Sequence, residues 1–308
     1  MKAQQPRHFA SAHSSQKNLL LSFDVEDWFQ VENLRGLFPR QVWDQCQYRV
    51  EQSTHAILDI LDSPSQLKRP VQATFFVLGW TAQRFPALVR EIGQRGHEVA
   101  SHGFYHDLCT AMTFQELRQD LLRSKALLED ITGSPVHGYR APSFSVCSNL
   151  LSALHQTGYS YDSSYNSFSW HKRYGKLEVQ SFAQTGVAYQ ISQFLLELPV
   201  SNLALWGKIL PWAGGGYFRL FPKTIFQWGV RRILDQDQTY VFYMHPWEVD
   251  AHQPRVRGLK AGSRWKHYVN LHKTSDRLSS LLHRFHDFRF LPCWQYLQGL
   301  EMQQTGRV

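Results

Sequence analysis

Short apolar runs alternate with segments of helical periodicity from residue 19 onward, and this alternation constrains the fold most strongly. The runs that predict buried strands cover residues 19–25, 73–80, 97–101, 136–139, 195–200 and 240–244. Strands that are apolar along their whole length are typical of a parallel sheet covered by helices. About seven strand–helix units fit into the chain, which favours an incomplete (β/α) barrel over a doubly wound open sheet. No GxGxxG motif follows the first strand, which disfavours dinucleotide binding.

Helix boundaries are also marked in the sequence. Apolar residues recur on one helical face over 50–61, and Pro86 opens a segment that fits a helix up to Arg95. Thr113 and Glu116 form a capping-box pattern ahead of a helix that closes near Gly133. Two further helices are expected around 150–154 and 224–234.

Composition and the absence of linkers suggest one folded domain. Hydrophobic residues make up 43% of the 308-residue chain and charged residues 19%, which excludes a disordered chain. No Gly/Ser-rich linker divides residues 18–300, so we predict a single barrel domain with a basic C-terminal extension from about 250. Residues 1–17 are polar and are interpreted as a flexible tail.

Neither a membrane span nor a disulfide framework is expected. No apolar run approaches the roughly 18 residues that cross a bilayer, and Leu19–Leu21 is too short for a signal-peptide core. The four cysteines are scattered without CxxC spacing, which indicates free thiols. We therefore expect a cytoplasmic chain.

The formal net charge of +8 is concentrated in residues 251–284, which carry eight basic residues against one acid. The basic residues are Arg255, Arg257, Lys260, Arg264, Lys266, Lys273, Arg277 and Arg284. Such a segment suits an acidic polymer, a lipid-linked phosphate or an anionic membrane surface, and it also fits a solvated helix face. No nucleic-acid-binding module accompanies it. Peripheral contact with the inner membrane face is therefore one hypothesis.

Polar residues gather where the predicted strands end. Asp24, Glu26 and Asp27 directly follow the first apolar strand, and three clustered carboxylates can be buried only with a cation or a shared proton. His102 and His106 follow another strand at a spacing that lets both face one divalent ion on a helical turn. Two histidines and one carboxylate leave coordination positions open, which is the catalytic pattern. Taken one group at a time, the acids also fit a solvated loop, and the histidines also fit a structural role.

Three further strand ends carry Arg140, Asp162 and His245. An Arg in this position can hold a carboxylate bidentately, and a His beside Trp247 is placed to donate a proton. Each of them alone is also compatible with a purely structural role.

Taken in order, the segments SFDVEDW, SHGFYH, YRAPSF, YDSS and MHPWE resemble the polysaccharide deacetylases of carbohydrate esterase family 4, the NodB-type domain. The resemblance runs from about Leu19 to Trp247. The DVEDW form, a Gly-rich segment at 214–219 and the extended C-terminal part are similar to the subgroup associated with bacterial exopolysaccharide loci.

The resemblance implies a distorted (β/α)7 barrel that hydrolyses N-acetyl groups of amino sugars in a bacterial polysaccharide or its oligosaccharide precursor. It implies these roles: base Asp24, base-orienting Arg140, acid His245, acid-tuning Asp162, and metal ligands His102 and His106. The family's adjacent aspartates are interrupted here by Val25, so the metal carboxylate is Glu26 or Asp27. Strand alternation favours Glu26 and a turn favours Asp27. Of the two, we favour Asp27.

The implied cofactor is a divalent ion, with Zn²⁺ favoured and Co²⁺, Mn²⁺ or Ni²⁺ as alternatives. Trp28, Tyr217 and Trp247 are candidates for the walls that grip the sugar, and a backbone N–H near Tyr105 for oxyanion stabilisation. Packing alone also accounts for these aromatic residues. Two rival functions stay open: hydrolysis of another non-peptide C–N bond on the same barrel, and saccharide binding without turnover.

Overall fold

The structure is a computed structural model that describes residues 17–63, 70–168, 177 and 179–305. Its strands are β1 (Asn18–Val25), β2 (Thr74–Val77), β3 (Glu98–Ser101), β4 (Gly138–Tyr139), β5 (Tyr161–Asp162), β6 (Ala183–Thr185), β7 (Ala188–Ser192), β8 (Leu195–Glu197), β9 (Asn202–Leu205), β10 (Lys208–Pro211), β11 (Thr239–Met244) and β12 (Arg289–Phe290). Its α-helices are α1 (Val50–Asp62), α2 (Gly79–Arg84), α3 (Pro86–Gln94), α4 (Phe114–Thr132), α5 (Leu150–Gln156), α6 (Gly215–Leu220), α7 (Lys223–Asp237), α8 (Ala261–Tyr268), α9 (Thr274–Arg284) and α10 (Cys293–Thr305).

Seven strands form a parallel sheet in the order β11-β1-β2-β3-β4-β5-β8, and β7 and β6 extend it in antiparallel fashion. Beyond β8, the N–H of Ser201 donates to the carbonyl O of Val241 in β11 (3.1 Å). The segment after β8 thus links the two ends of the parallel part of the sheet, without a strand ladder between β8 and β11 in the described residues. The predicted α/β fold, a distorted (β/α)7 barrel, is confirmed.

The alternation of side chains along β1 explains how a buried strand presents polar groups to the interior. Leu19, Leu21, Phe23 and Val25 pack in the hydrophobic cluster shared with the surrounding helices. The intervening Leu20 belongs instead to the cluster inside the barrel. Even-numbered residues of β1 therefore point inward.

The predicted helix signals are confirmed at α4. Thr113 and Glu116 form both halves of the capping box, and Gly133 ends the helix with a φ of 65°. A cap of this kind typically contributes about 1 kcal/mol. The apolar run at 73–80 was predicted less well. Its strand ends at Val77 and Trp80 lies in α2, because apolar residues on a buried helix resemble a strand in sequence.

Other sequence predictions have mixed outcomes. All four cysteines are free, as predicted. Within the part of the chain that the structure describes, no helix is both long enough and apolar enough to span a membrane. The predicted tail at 1–17 lies outside the described residues except for Lys17. One barrel domain over 18–300 stays a prediction, and the parallel sheet takes strands from both halves of that range.

Candidate active site

Asp24 lies at the inward-facing end of β1 and is paired with Arg140, which follows β4. Arg140 Nη1 donates to Asp24 Oδ1 (2.7 Å) and to Ser22 Oγ (2.8 Å). Its Nη2 donates to Ser163 Oγ (3.0 Å), and its guanidinium lies 4.0 Å from the ring centroid of Phe76. Arg140 is fully buried. A buried ion pair with this many donors fixes the orientation of the Asp24 carboxylate.

Glu26, His102 and His106 form a compact buried group. Each offers one ligand atom, and these atoms lie within 4.8 Å of one another. His102 Nδ1 lies 2.8 Å from the carbonyl O of Arg140, which leaves its Nε2 available to a ligand. Nδ1 of His106 is buried and lacks a hydrogen-bond partner in the described residues. Two imidazoles and one carboxylate fit a divalent ion with open coordination positions.

The protonation of this group suits a metal. Burial lowers the pKa of His102 to about 4, so the imidazole is neutral at pH 7. Burial alone would raise the pKa of Glu26, but the nearby His106 and His245 outweigh it and lower that pKa to about 2. Neutral imidazole and ionised carboxylate are the forms that bind metal ions.

The structure corrects the helical turn expected for the two histidines. Both lie in the loop after β3, in which Gly103 has a φ of 73° and His106 a φ of 57°. A side chain at Gly103 would be strained and would lie 3.0 Å from Asp120 Oδ2. The two imidazoles meet because the loop turns back on itself, which their i, i+4 spacing does not reveal.

The structure also corrects the preference for Asp27. β1 ends at Val25, and the backbone N–H of Glu26 donates to the carbonyl O of Asp24 (3.0 Å), which marks a tight turn. The carboxylate of Glu26 nevertheless joins His102 and His106. Asp27 faces away, and its carboxylate accepts from the backbone N–H of Trp28 (2.8 Å), Arg49 (2.7 Å) and Val50 (3.0 Å). Asp27 thus caps the start of α1 and lies outside the metal cluster.

His245 follows β11 and reaches the same site. Its Nε2 lies 3.5 Å from Glu26 Oε1 and 4.0 Å from Asp24 Oδ2. Its Nδ1 lies 2.9 Å from Glu248 Oε1, and Arg219 Nε donates to Glu248 Oε2 (2.6 Å). Burial would lower the pKa of His245, but Glu26, Glu248 and Asp24 outweigh it and raise that pKa to about 9.

Glu248, and not Asp162, is the carboxylate partner of His245. Asp162 in β5 accepts from Ser164 Oγ and lies opposite Glu197 of β8. Burial raises the pKa of Asp162 to about 6 and that of Glu197 well above its usual range. The two acids share a buried position in the barrel and do not contact His245 in the described structure. The prediction that Asp162 tunes the acid is therefore corrected.

Sequence reasoning missed Glu248 as a partner, although it follows His245 by three residues. The two meet because Pro246–Val249 form a 3-10 helix. Gly215, the first residue of α6, makes room for the carboxylate, since a Cβ there would overlap Glu248 Oε1. Gly215 was the sequence signal for this contact, because a glycine can mark a position where a side chain approaches the backbone closely.

Asp24, the three residues of the candidate metal cluster and His245 line one cavity of about 410 Å³. Its lining residues are Asp24, Glu26, Val31, Glu32, Asn33, His102, His106, Ser143, Phe144, Tyr243, His245, Ser263 and Lys266. Lys266 comes from the basic segment 251–284. A neighbouring cavity of about 620 Å³ shares Glu32 with it. The sequence predicted neither Tyr243 nor Lys266 at the site.

Neither the three residues predicted to grip the sugar nor Tyr105, predicted for a backbone N–H that stabilises the oxyanion, is among those lining the cavity. The indole of Trp28 is buried and donates to the carbonyl O of Gln47 (2.9 Å). Trp247 is buried and stacks on His245, with centroids 5.3 Å apart. Tyr217 stacks on Phe221, and the ring of Tyr105 lies beneath the guanidinium of Arg40. Phe144 and Tyr243 are the aromatic residues that line the cavity, so the predicted sugar-binding walls are corrected.

Fold and site together define a class: a (β/α) barrel with a two-histidine, one-carboxylate cluster at the C-terminal ends of its strands. Two models of known protein families match the sequence of this chain. Residues 39–161 match the family model described as Polysaccharide deacetylase, and residues 163–298 match a domain of unknown function (DUF3473). The polysaccharide deacetylase model thus matches less than half of the chain, and it supports a domain of that kind over residues 39–161. His245 and Glu248 fall in the segment of unknown function.

Similar proteins agree with this assignment. A peptidoglycan deacetylase of Helicobacter pylori is 35% identical over 104 residues, covering 33% of this chain and 36% of that protein. The peptidoglycan deacetylase-like protein FGM2 of Gibberella zeae is 32% identical over 108 residues, covering 35% of this chain and 31% of that protein. The chain thus spans about a third of the length of these curated relatives.

Solved structures show the same fold. A candidate polysaccharide deacetylase from Mycobacterium smegmatis has a TM-score of 0.63 at 19% identity, covering 97% of this chain and 96% of that one. The peptidoglycan deacetylase PdaC of Bacillus subtilis has a TM-score of 0.50 at 16% identity, covering 95% of each chain.

Proposed function

We propose that the chain is a metal-dependent hydrolase that removes N-acetyl groups from amino sugars of a bacterial polysaccharide or its oligosaccharide precursor. One observation carries the proposal: three elements converge on one cavity, namely a buried acid held by an arginine, a cluster suited to a divalent ion, and a histidine paired with a carboxylate. The relatives named as peptidoglycan deacetylases support the reaction class. An exopolysaccharide substrate is the finer part of the proposal and rests on the DVEDW resemblance.

Glu26, His102 and His106 would hold the ion. Their mixed oxygen and nitrogen donors suit Zn²⁺, and Co²⁺, Mn²⁺ or Ni²⁺ are compatible with the same set. When bound, such an ion acts as a Lewis acid on the acetamide carbonyl and lowers the pKa of a water molecule.

Asp24 is the proposed general base. Its Oδ1 accepts from Arg140, while its Oδ2 points towards His245 Nε2. The carboxylate takes a proton from the attacking water as the new C–O bond forms. A guanidinium has donors and no acceptor, so Arg140 holds the base in position without competing for that proton.

His245 is the proposed general acid. Because Nδ1 faces Glu248, the proton at Nε2 is directed at the cavity. As the C–N bond breaks, Nε2 protonates the leaving amine, and acetate and the free amino sugar depart. The Glu248–Arg219 pair holds the imidazole in this orientation.

The proposed substrate is a saccharide that can carry an anionic substituent. Lys266 and Ser263 bring part of the basic segment to the cavity, which supports contact between that segment and an anionic or lipid-linked glycan. Contact between residues 251–284 and an anionic membrane, and a cytoplasmic location, are also proposals. Part of the segment holds the fold together, since Arg277 Nη1 donates to the carbonyl O of Phe218 (2.6 Å).

An acetate-release assay on N-acetylated oligosaccharides, with and without chelator, tests the function. We expect acetate release that the chelator abolishes and added Zn²⁺ restores. His245→Ala should keep the bound metal and lose most of the turnover. Ammonia or ring-opened product in place of acetate would favour the rival hydrolase. Glycan binding without turnover of any substrate would favour the inactive barrel.

A further inference from the structure

Exposed apolar side chains are concentrated in one part of the chain. Among the described residues, eleven large hydrophobic side chains are exposed, and five of them lie within residues 206–228. These are Trp206, Ile209, Leu220, Ile225 and Trp228. The surrounding stretch 198–234 contains no Asp or Glu but five Lys or Arg residues. A cluster of exposed apolar side chains of this kind marks a candidate interaction surface, and the charges around it are all positive.

The hairpin β9–β10 carries the most exposed of these residues. Leu205 pairs with Lys208, so Trp206 and Gly207 form the two-residue turn, with φ values of 50° and 72°. Trp206 is 91% exposed at the tip. This turn favours Asn-Gly, and a bulky residue with positive φ is strained. A strained, exposed Trp at a hairpin tip is typical of a residue kept for an interaction.

Helix α7 extends the same surface. Ile225, Trp228 and Arg232 follow i, i+3, i+7 spacing and are exposed, whereas Phe226 and Gly229 are buried. α7 packs against β9, and the indole of Trp212, which follows β10, fills the space where Gly229 lacks a side chain. The hairpin and α7 therefore pack against each other, and each carries exposed apolar side chains. We call them together the acid-free surface.

The positive charges of the acid-free surface are largely uncompensated. Lys208, Lys223 and Arg232 form no ion pair with any described residue. Arg231 is paired with Asp235 (3.2 Å), and Arg219 is buried against Glu248. Three free cations next to two exposed indoles match the chemistry of an anionic lipid surface, where Trp occupies the interface and Lys and Arg meet the head groups.

We propose that the acid-free surface docks on a bilayer containing anionic phospholipids, with Trp206 and Trp228 in the interfacial layer and Lys208, Lys223 and Arg232 at the head groups. The surface lies outside residues 251–284, and the proposal does not rest on the proposed reaction. Gly214, three residues after β10, pairs with Tyr243, which lines the catalytic cavity. Docking would therefore hold the cavity close to a membrane-associated glycan.

A vesicle flotation experiment with the purified full chain tests this. Vesicles of phosphatidylcholine are compared with vesicles in which phosphatidylglycerol replaces about a third of the lipid. We expect binding to the anionic vesicles that weakens with added salt. Trp206→Asn should weaken binding to the anionic vesicles at least about tenfold, because it removes the indole that the proposal buries in the interfacial layer of the bilayer. Asn-Gly also suits the turn, so the hairpin is retained.

Two further variants make the result specific. Lys208→Ala should weaken binding about fivefold through the lost charge. Phe194→Ala removes an exposed aromatic side chain (63%) that lies outside both the acid-free surface and residues 251–284, and it should leave binding unchanged. The proposal is overturned if the chain does not bind anionic vesicles, or if Trp206→Asn binds as well as the parent chain. A Trp206-dependent dimer in sedimentation without vesicle binding would overturn it in favour of a second copy of the chain.

Discussion

Glu26 and Asp27 are adjacent acids for which the structure assigns opposite roles, and exchanging each for alanine separates them. Asp27 accepts three backbone N–H groups, two of them at the start of α1. Losing a helix cap costs about 0.5–2 kcal/mol, and each buried donor left without a partner costs about 1–3 kcal/mol. Partial relaxation lowers the sum, so we expect Asp27→Ala to reduce the free energy of unfolding by about 2–4 kcal/mol.

Glu26→Ala should have the opposite profile. It removes a ligand from the cluster, so we expect loss of bound metal and of acetate release. Urea unfolding followed by circular dichroism measures stability, and metal analysis after dialysis measures retention. Folded Asp27→Ala should keep its metal. If Asp27→Ala loses the metal while Glu26→Ala retains it, the assignment of the two acids is wrong.

Three further variants probe the groups around the cluster. Arg140→Lys keeps the charge but loses the fork of donors, so turnover should fall at least about a hundredfold at unchanged metal content, and near-normal rates would contradict its role. Glu248→Gln should lower kcat about a hundredfold or more, because the orientation of His245 is lost, and steady-state kinetics would show whether KM stays constant. Glu197→Gln tests pH dependence. Burial raises the pKa of Asp162 to about 6 and that of Glu197 further. The folded state binds protons at this pair more tightly than the unfolded chain does, so the contribution of the pair to stability should rise as the pH falls from about 7 to 4. Comparing the variant with the parent chain isolates that contribution. The variant should flatten that rise, and an unchanged slope would refute the explanation.

The sequence predicted what local patterns encode. The alternating apolar segments gave the parallel barrel, and the rule that polar groups gather at strand ends brought Asp24, His102, Arg140 and His245 to one cavity. Thr113 and Glu116 marked the start of α4, because a capping box is formed within one helical turn.

What the sequence did not predict depends on backbone conformation outside regular elements. The choice between Glu26 and Asp27 depends on the tight turn that follows β1, in which the N–H of Glu26 donates to the carbonyl O of Asp24. The pairing of His245 with Glu248 requires a 3-10 turn and the space left at Gly215. Lys266 reaches the cavity from α8, more than 150 residues from either histidine of the cluster, and no local pattern encodes such a contact.

Titration of the metal-free chain with Zn²⁺ tests the central claim most directly, with bound metal and acetate release recorded on the same samples. If the ion lies on Glu26, His102 and His106 beside Asp24, both signals should rise together and saturate at one ion per chain. Full acetate release from the metal-free chain, or tight binding of one ion that leaves the chain inactive, would contradict that claim.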